Sequence, residues 1–83
     1  MKVTITSIAA EQFAALPRTV QVRVMRIFER LERWPDVSGA KPLRGDLSGW
    51  FRVRTGDYRI LFSASDDEVV VEKIGHRDGF YDE

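Results

Sequence analysis

Residues 50–62, Trp-Phe-Arg-Val-Arg-Thr-Gly-Asp-Tyr-Arg-Ile-Leu-Phe, constrain this 83-residue chain more than any other stretch. Apolar and cationic residues alternate with period two, the period of a strand whose successive side chains leave opposite faces. Phe51 and Val53 therefore share one face, and Arg52 and Arg54 the other. Gly56-Asp57 supplies a turn, because glycine tolerates positive φ and aspartate bonds its own backbone. Arg59 follows on the return strand. The segment predicts a β-hairpin with one apolar face and one arginine-bearing face. Guanidinium groups are planar forks of donors suited to phosphate oxygens. The same alternation also describes an ordinary wet sheet face.

The rest of the chain is read around this hairpin. Residues 3–6, Val-Thr-Ile-Thr, alternate and are rich in β-branched residues, so they predict a first strand. Ser7 is the candidate N-cap of a short helix over 9–16 with Phe13 and Leu16 inward. Pro17 suits the first turn of a second helix over 18–33. Val20, Val24, Ile27, Phe28 and Leu31 fall three and four apart and form its apolar stripe. Arg23, Arg26, Arg30 and Arg33 lie on or beside the opposite, solvated side. Trp34-Pro35 ends the helix, since the residue before proline avoids the α region. Residues 35–49 hold two prolines and three glycines and form a connector with at most one short strand near 43–47. Residues 65–68 make a second turn, and 69–74 a last strand whose Val69-Val70-Val71 run implies cover on part of both faces. Trp34 belongs to the core and Trp50 to an edge covering the hairpin; base stacking is the other use of such rings.

A strand, two helices and then three or four strands give an α+β domain, with a helical hairpin on one face of a small twisted antiparallel sheet. Eighty-three residues, 43% hydrophobic, suffice for one domain spanning 1–83. The absence of cysteine excludes disulfides and a thiolate metal site. One histidine, His76, excludes a multi-histidine metal site. The apolar runs are too short for a membrane span and the N-terminus lacks a signal-peptide core, so the expected location is cytoplasmic. Net charge is zero but uneven: residues 1–65 carry eleven Lys/Arg and six Asp/Glu, while 66–83 carry two and seven. Any nucleic-acid surface must therefore be local.

Four spaced motifs carry a resemblance: Leu43-Arg44-Gly45; Gly49-Trp50-Phe51-Arg52-Val53-Arg54; Gly56-Asp57-Tyr58-Arg59; and Ile74-Gly75-His76-Arg77 with Tyr81 four residues on. In length, element order and these motifs the chain resembles the RelE/ParE superfamily of bacterial type II toxins. The resemblance implies a cognate antitoxin partner, whose segments dock around the helical pair. In the RelE-like branch it implies a metal-independent, cofactor-free endoribonuclease acting on mRNA in the ribosome. Arg59 and Arg77 would then hold the scissile phosphate, and Arg52, Arg54 and Arg44 the neighbouring backbone. Tyr81 and His76 would be the candidates for proton transfer. A free arginine is a poor base, a tyrosine beside cations ionises more readily, and histidine exchanges protons near neutrality. His76 could equally be a strand-end residue bonding the backbone, and Tyr81 an aromatic packing back on the sheet. Well-studied RelE-like nucleases carry lysines on the strand where this chain has Arg52 and Arg54, which removes a tunable amine. The ParE-like branch poisons DNA gyrase on the same scaffold, and a member that only binds its antitoxin is the remaining alternative.

Overall fold

The computed structural model describes residues 1–77. Five strands, β1 (Lys2–Ile5), β2 (Lys41–Pro42), β3 (Trp50–Thr55), β4 (Tyr58–Ala64) and β5 (Glu68–His76), form one sheet in the order β1-β5-β4-β3-β2. Helices α1 (Ser7–Ala14) and α2 (Arg18–Leu31) follow β1 directly. The arrangement is the expected α+β one, with Val53 and the helices on one side and Arg52 and Arg54 on the other. One strand departs from the antiparallel pattern: β1 runs parallel to β5. The helical pair carries the chain from β1 to the far edge of the sheet, and β2, β3 and β4 bring it back to β5, which supplies the long crossover a parallel pairing requires.

The amphipathic stripe forms the floor of the core. Val20, Val24, Ile27, Phe28 and Leu31 are all buried, whereas Arg23, Arg26, Arg30 and Arg33 are exposed. The stripe packs against Val53, Ile60, Phe62, Val69, Val71 and Ile74. At one end Trp34 meets Phe51 at 4.6 Å and Phe62 at 5.1 Å, both edge-on. Phe51 and Phe62 are themselves cross-strand partners, stacked at 5.5 Å.

In β5 the apolar residues Val69, Val71 and Ile74 do not fit a simple alternation, and a bulge reconciles them. Leu61 pairs with Lys73 but Phe62 pairs with Val71, so Glu72 is an extra residue. The shift resets the pleat, and all three apolar side chains reach the helix face. Because β1 ends at Ile5, side chains replace a strand edge beyond it. The Thr6 hydroxyl donates to the Glu72 carbonyl at 3.1 Å, and Gln12 Oε1 accepts the Ile74 N–H at 2.7 Å.

Three boundaries differ from the sequence expectation. Helix α1 begins at Ser7 rather than Ala9, because Thr6 and not Ser7 is the cap: its hydroxyl accepts the Ala9 N–H at 3.0 Å. Helix α2 stops at Leu31 rather than Arg33, and Pro17 stands just outside it as the residue before the first turn. The short strand of the connector is Lys41–Pro42, and 45–47 form a 3₁₀ turn instead. Thr6→Ala should cost about 1 kcal/mol in urea unfolding. Ser7→Ala should stay within about 0.5 kcal/mol of the parent.

Candidate functional site

The site begins with a two-residue turn. Gly56 has φ +59° and Asp57 does not have positive φ, the glycine-first pattern of a type II′ hairpin. With only two loop residues, Thr55 must face Tyr58, and every pair behind it follows: Arg54 opposite Arg59, Val53 opposite Ile60, Arg52 opposite Leu61. Partners on adjacent strands share a face, so Arg54 and Arg59 stand side by side.

The face away from the helices is thus organised in two rows. Nearest the turn, Arg54, Arg59 and Gly75 lie side by side on β3, β4 and β5. Gly75 contributes no side chain beside Arg59. One pleat further, Lys41, Arg52, Leu61 and Lys73 form a second row across four strands. Adjacent strands are about 4.8 Å apart, so Arg54 and Arg59 stand within reach of one phosphodiester, whereas Lys41 and Lys73 lie three strand spacings, roughly 14 Å, apart. Lys41 and Lys73 escaped the sequence reading, since their strand registers depend on long-range pairing. An amine does therefore stand on this face, supplied by the flanking strands rather than by β3.

The expected residues occupy different environments within this frame. Arg54 is exposed, Arg59 is half-buried and Arg52 is only 4% exposed. The expectation that Arg52 points to an open, wet face is thus corrected: it lies on that face but is buried beside the equally buried Leu61. Arg77 follows the end of β5, where its N–H donates to the Asp57 carbonyl at 2.8 Å and its Nε lies 3.7 Å from Asp57 Oδ1. His76 pairs with Tyr58, and their rings meet edge-on at 5.2 Å. Tyr58 packs against the core, so His76 belongs to the helix side of the sheet while Arg54 and Arg59 belong to the other. The structure therefore brings Arg52, Arg54 and Arg59 onto one face with Arg77 at its end, and turns His76 away from them. Arg44 is exposed, next to the 3₁₀ turn that precedes β3, at the opposite end from Gly56-Asp57. Tyr81 lies outside the described residues.

Asp57 is a residue of this face that sequence reasoning took for a turn former alone. Its Oδ2 lies 4.0 Å from His76 Nε2 while Oδ1 faces Arg77. Counting the hairpin register onward to β5 is the signal that places position 57 opposite 77. Among the described residues no group of three or more acidic or histidine side chains is placed to hold a metal ion, and no helix is long and apolar enough to cross a membrane.

Residues 3–79 match the family model described as ParE toxin of type II toxin-antitoxin system, parDE. Toxin RelG of Mycobacterium tuberculosis is 35% identical over 82 residues, covering 95% of this chain and 93% of that one. Toxin YoeB of Streptomyces coelicolor is 34% identical over 77 residues, covering 86% and 92%. Among solved structures, the toxin-antitoxin complex RelBE2 of Mycobacterium tuberculosis superposes with a TM-score of 0.81 at 34% identity, covering 92% of this chain and 90% of that one. The chain belongs to the RelE/ParE superfamily and is a toxin of a type II toxin-antitoxin system.

Like charges directly opposite each other destabilise a sheet, so the Arg54–Arg59 pair is a cost that an ordinary wet face need not carry. Arg54→Thr should raise stability at low salt by roughly 0.2–1 kcal/mol in thermal melts.

Proposed function

We propose that this toxin is a ribosome-dependent mRNA endoribonuclease, held inactive by a cognate antitoxin. The observation that carries the reading is the cluster of Arg54 and Arg59 on adjacent strands with Arg77 docked at the turn beside them. Cleavage of RNA by its own 2′-OH forms the O2′–P bond and breaks the P–O5′ bond. A proton leaves the 2′-OH and another reaches the departing 5′-oxygen. Between these events the phosphorane-like state carries extra negative charge on its equatorial oxygens. Guanidinium donors held in place before the reaction are suited to that charge, and such stabilisation is commonly the largest catalytic contribution. In this reading Arg59 and Arg77 hold the scissile phosphate. Arg54 holds the flanking backbone, with Arg52 buried behind it on the same face and Arg44 a separate contact at the far end of the sheet. Tyr81 is the first candidate for proton transfer, since His76 sits on the other side of the sheet.

The sequence relatives named RelG and YoeB support the nuclease branch. The ParE family model favours a second reading, a gyrase poison on the same scaffold. The antitoxin partner is supported by the RelBE2 structure, which is a toxin-antitoxin complex.

Expression without the antitoxin should arrest growth, and primer extension should map cuts within translated mRNA. Loss of one transition-state donor typically lowers the rate about 10²–10³-fold, so Arg59→Ala and Arg77→Ala should be tolerated by the host. Arg59→Lys should also be tolerated, because an ammonium does not reproduce the bidentate fork. Arg26→Ala, on the exposed side of α2, should remain toxic and controls for loss of positive charge. Folded Arg59→Ala and Tyr81→Phe variants that arrest growth as fully as the parent would refute the nuclease reading, and DNA gyrase inhibition is then the decisive assay. Co-expression with the adjacent small reading frame should yield a complex that melts at a higher temperature than the toxin alone. An unchanged melting temperature would exclude that product as the antitoxin.

A further inference from the structure

We infer that Asp57 is a positioning residue that sets where the Arg77 guanidinium stands; the inference rests on the nuclease reading for its effect on rate. Asp57 makes three contacts with the end of β5. Its carbonyl accepts the Arg77 N–H at 2.8 Å, Oδ1 lies 3.7 Å from Arg77 Nε, and Oδ2 lies 4.0 Å from His76 Nε2. His76 and Arg77 leave β5 toward opposite sides, and the hairpin turn is where one carboxylate can reach both.

Stability does not account for this arrangement. Asp57 and Arg77 side chains are 60% and 59% exposed, and exposed ion pairs contribute little to folding. Simple attraction of RNA does not account for it either. A carboxylate beside Arg54, Arg59 and Arg77 opposes the approach of a phosphate. What the contact does supply is direction. Arg77 has a long, rotatable side chain just past the end of a strand. An anion on its Nε side turns that edge of the fork toward the hairpin turn. The type II′ turn fixes Asp57 relative to Arg54 and Arg59, because both strands leave that turn in register. Asp57 therefore transmits the hairpin geometry to a residue of a different strand.

Asp57→Asn separates this role from turn formation, because asparagine is as competent in turns and retains the carbonyl contact. The variant should melt like the parent and bind mRNA-programmed ribosomes at least as tightly, since a negative charge is gone. Its single-turnover cleavage should nevertheless slow about 10- to 100-fold, the scale of an ångström-level misplacement. Cleavage at the parental rate would overturn the inference and leave Asp57 a turn former. Should the parent itself fail to cut programmed mRNA, the nuclease reading falls on its own, and the positioning is judged from the Arg77 Nε–Hε signal in ¹H–¹⁵N spectra. That signal, assigned by its loss in Arg77→Lys, should move in Asp57→Asn toward those of exposed arginines. A signal that stays in place would equally overturn the inference.

Discussion

A turn of two residues governs this protein. Gly56 and Asp57 leave no slack between β3 and β4, so the register of the hairpin is fixed at its tip and propagates down both strands. A slip of one residue would turn Val53, Ile60 and Phe62 out of the core and drive Arg54 and Arg59 under the helices. The helix face is buried and apolar, so such a slip is prohibitive. Core packing on one side therefore enforces arginine placement on the other. The like-charged pair Arg54–Arg59 survives because the pairs around it, Phe51–Phe62 and Val53–Ile60 on the opposite side, hold the strands together.

The second constraint is the bulge at Glu72. The long strand β5 has to bury Val69 and Val71 near its start and Ile74 near its end, and also place Gly75 opposite Arg59. An unbroken alternation cannot satisfy both halves. One extra residue does, and its polar groups are taken up locally. Ser63 donates its hydroxyl to Glu72 Oε2 at 2.7 Å, and Thr6 bonds the Glu72 carbonyl. Without the bulge the phases of the core and of the arginine face would disagree by one residue, and the strand would serve only one of them.

Most of the fold was legible from short-range pattern. The stripe from Val20 to Leu31, the hairpin strands and the Gly56-Asp57 turn depend on side-chain periodicity and on glycine conformation, both of which are local. The misplaced features depend on what happens far along the chain. Thr6 outcompetes Ser7 as the cap because its hydroxyl serves two partners, accepting from Ala9 and donating to Glu72. The parallel pairing of β1 with β5 and the bulge both join residues more than sixty positions apart or reset a register across strands. Within the candidate site, the shared face of Arg52 and Arg54 was visible in the alternation, and the relation of Arg59 to Arg54 followed from turn length. The burial of Arg52, the rows completed by Lys41 and Lys73, and the turning away of His76 required the full sheet. Asp57 was hidden for a different reason: its sequence context already explained it as a turn residue, so nothing prompted a second role.

A net charge of zero is compatible with a polyanion site because the charges are separated along the strands. Arg54, Arg59 and Arg77 gather at the Gly56-Asp57 end, while Asp66, Asp67 and Glu68 occupy the β4–β5 connection and the start of β5 at the other. The separation is about six residues along β4, roughly 20 Å at strand rise. Screening at physiological salt acts over about 8 Å, so the acidic end does not cancel the field at the basic one. Bulk attraction is weak and local attraction is intact. A nucleic-acid backbone meeting this sheet would be drawn most strongly to the Gly56-Asp57 end. The overall charge thus says little about the ligand, whereas the axis along which the charge is divided says where a phosphate would sit.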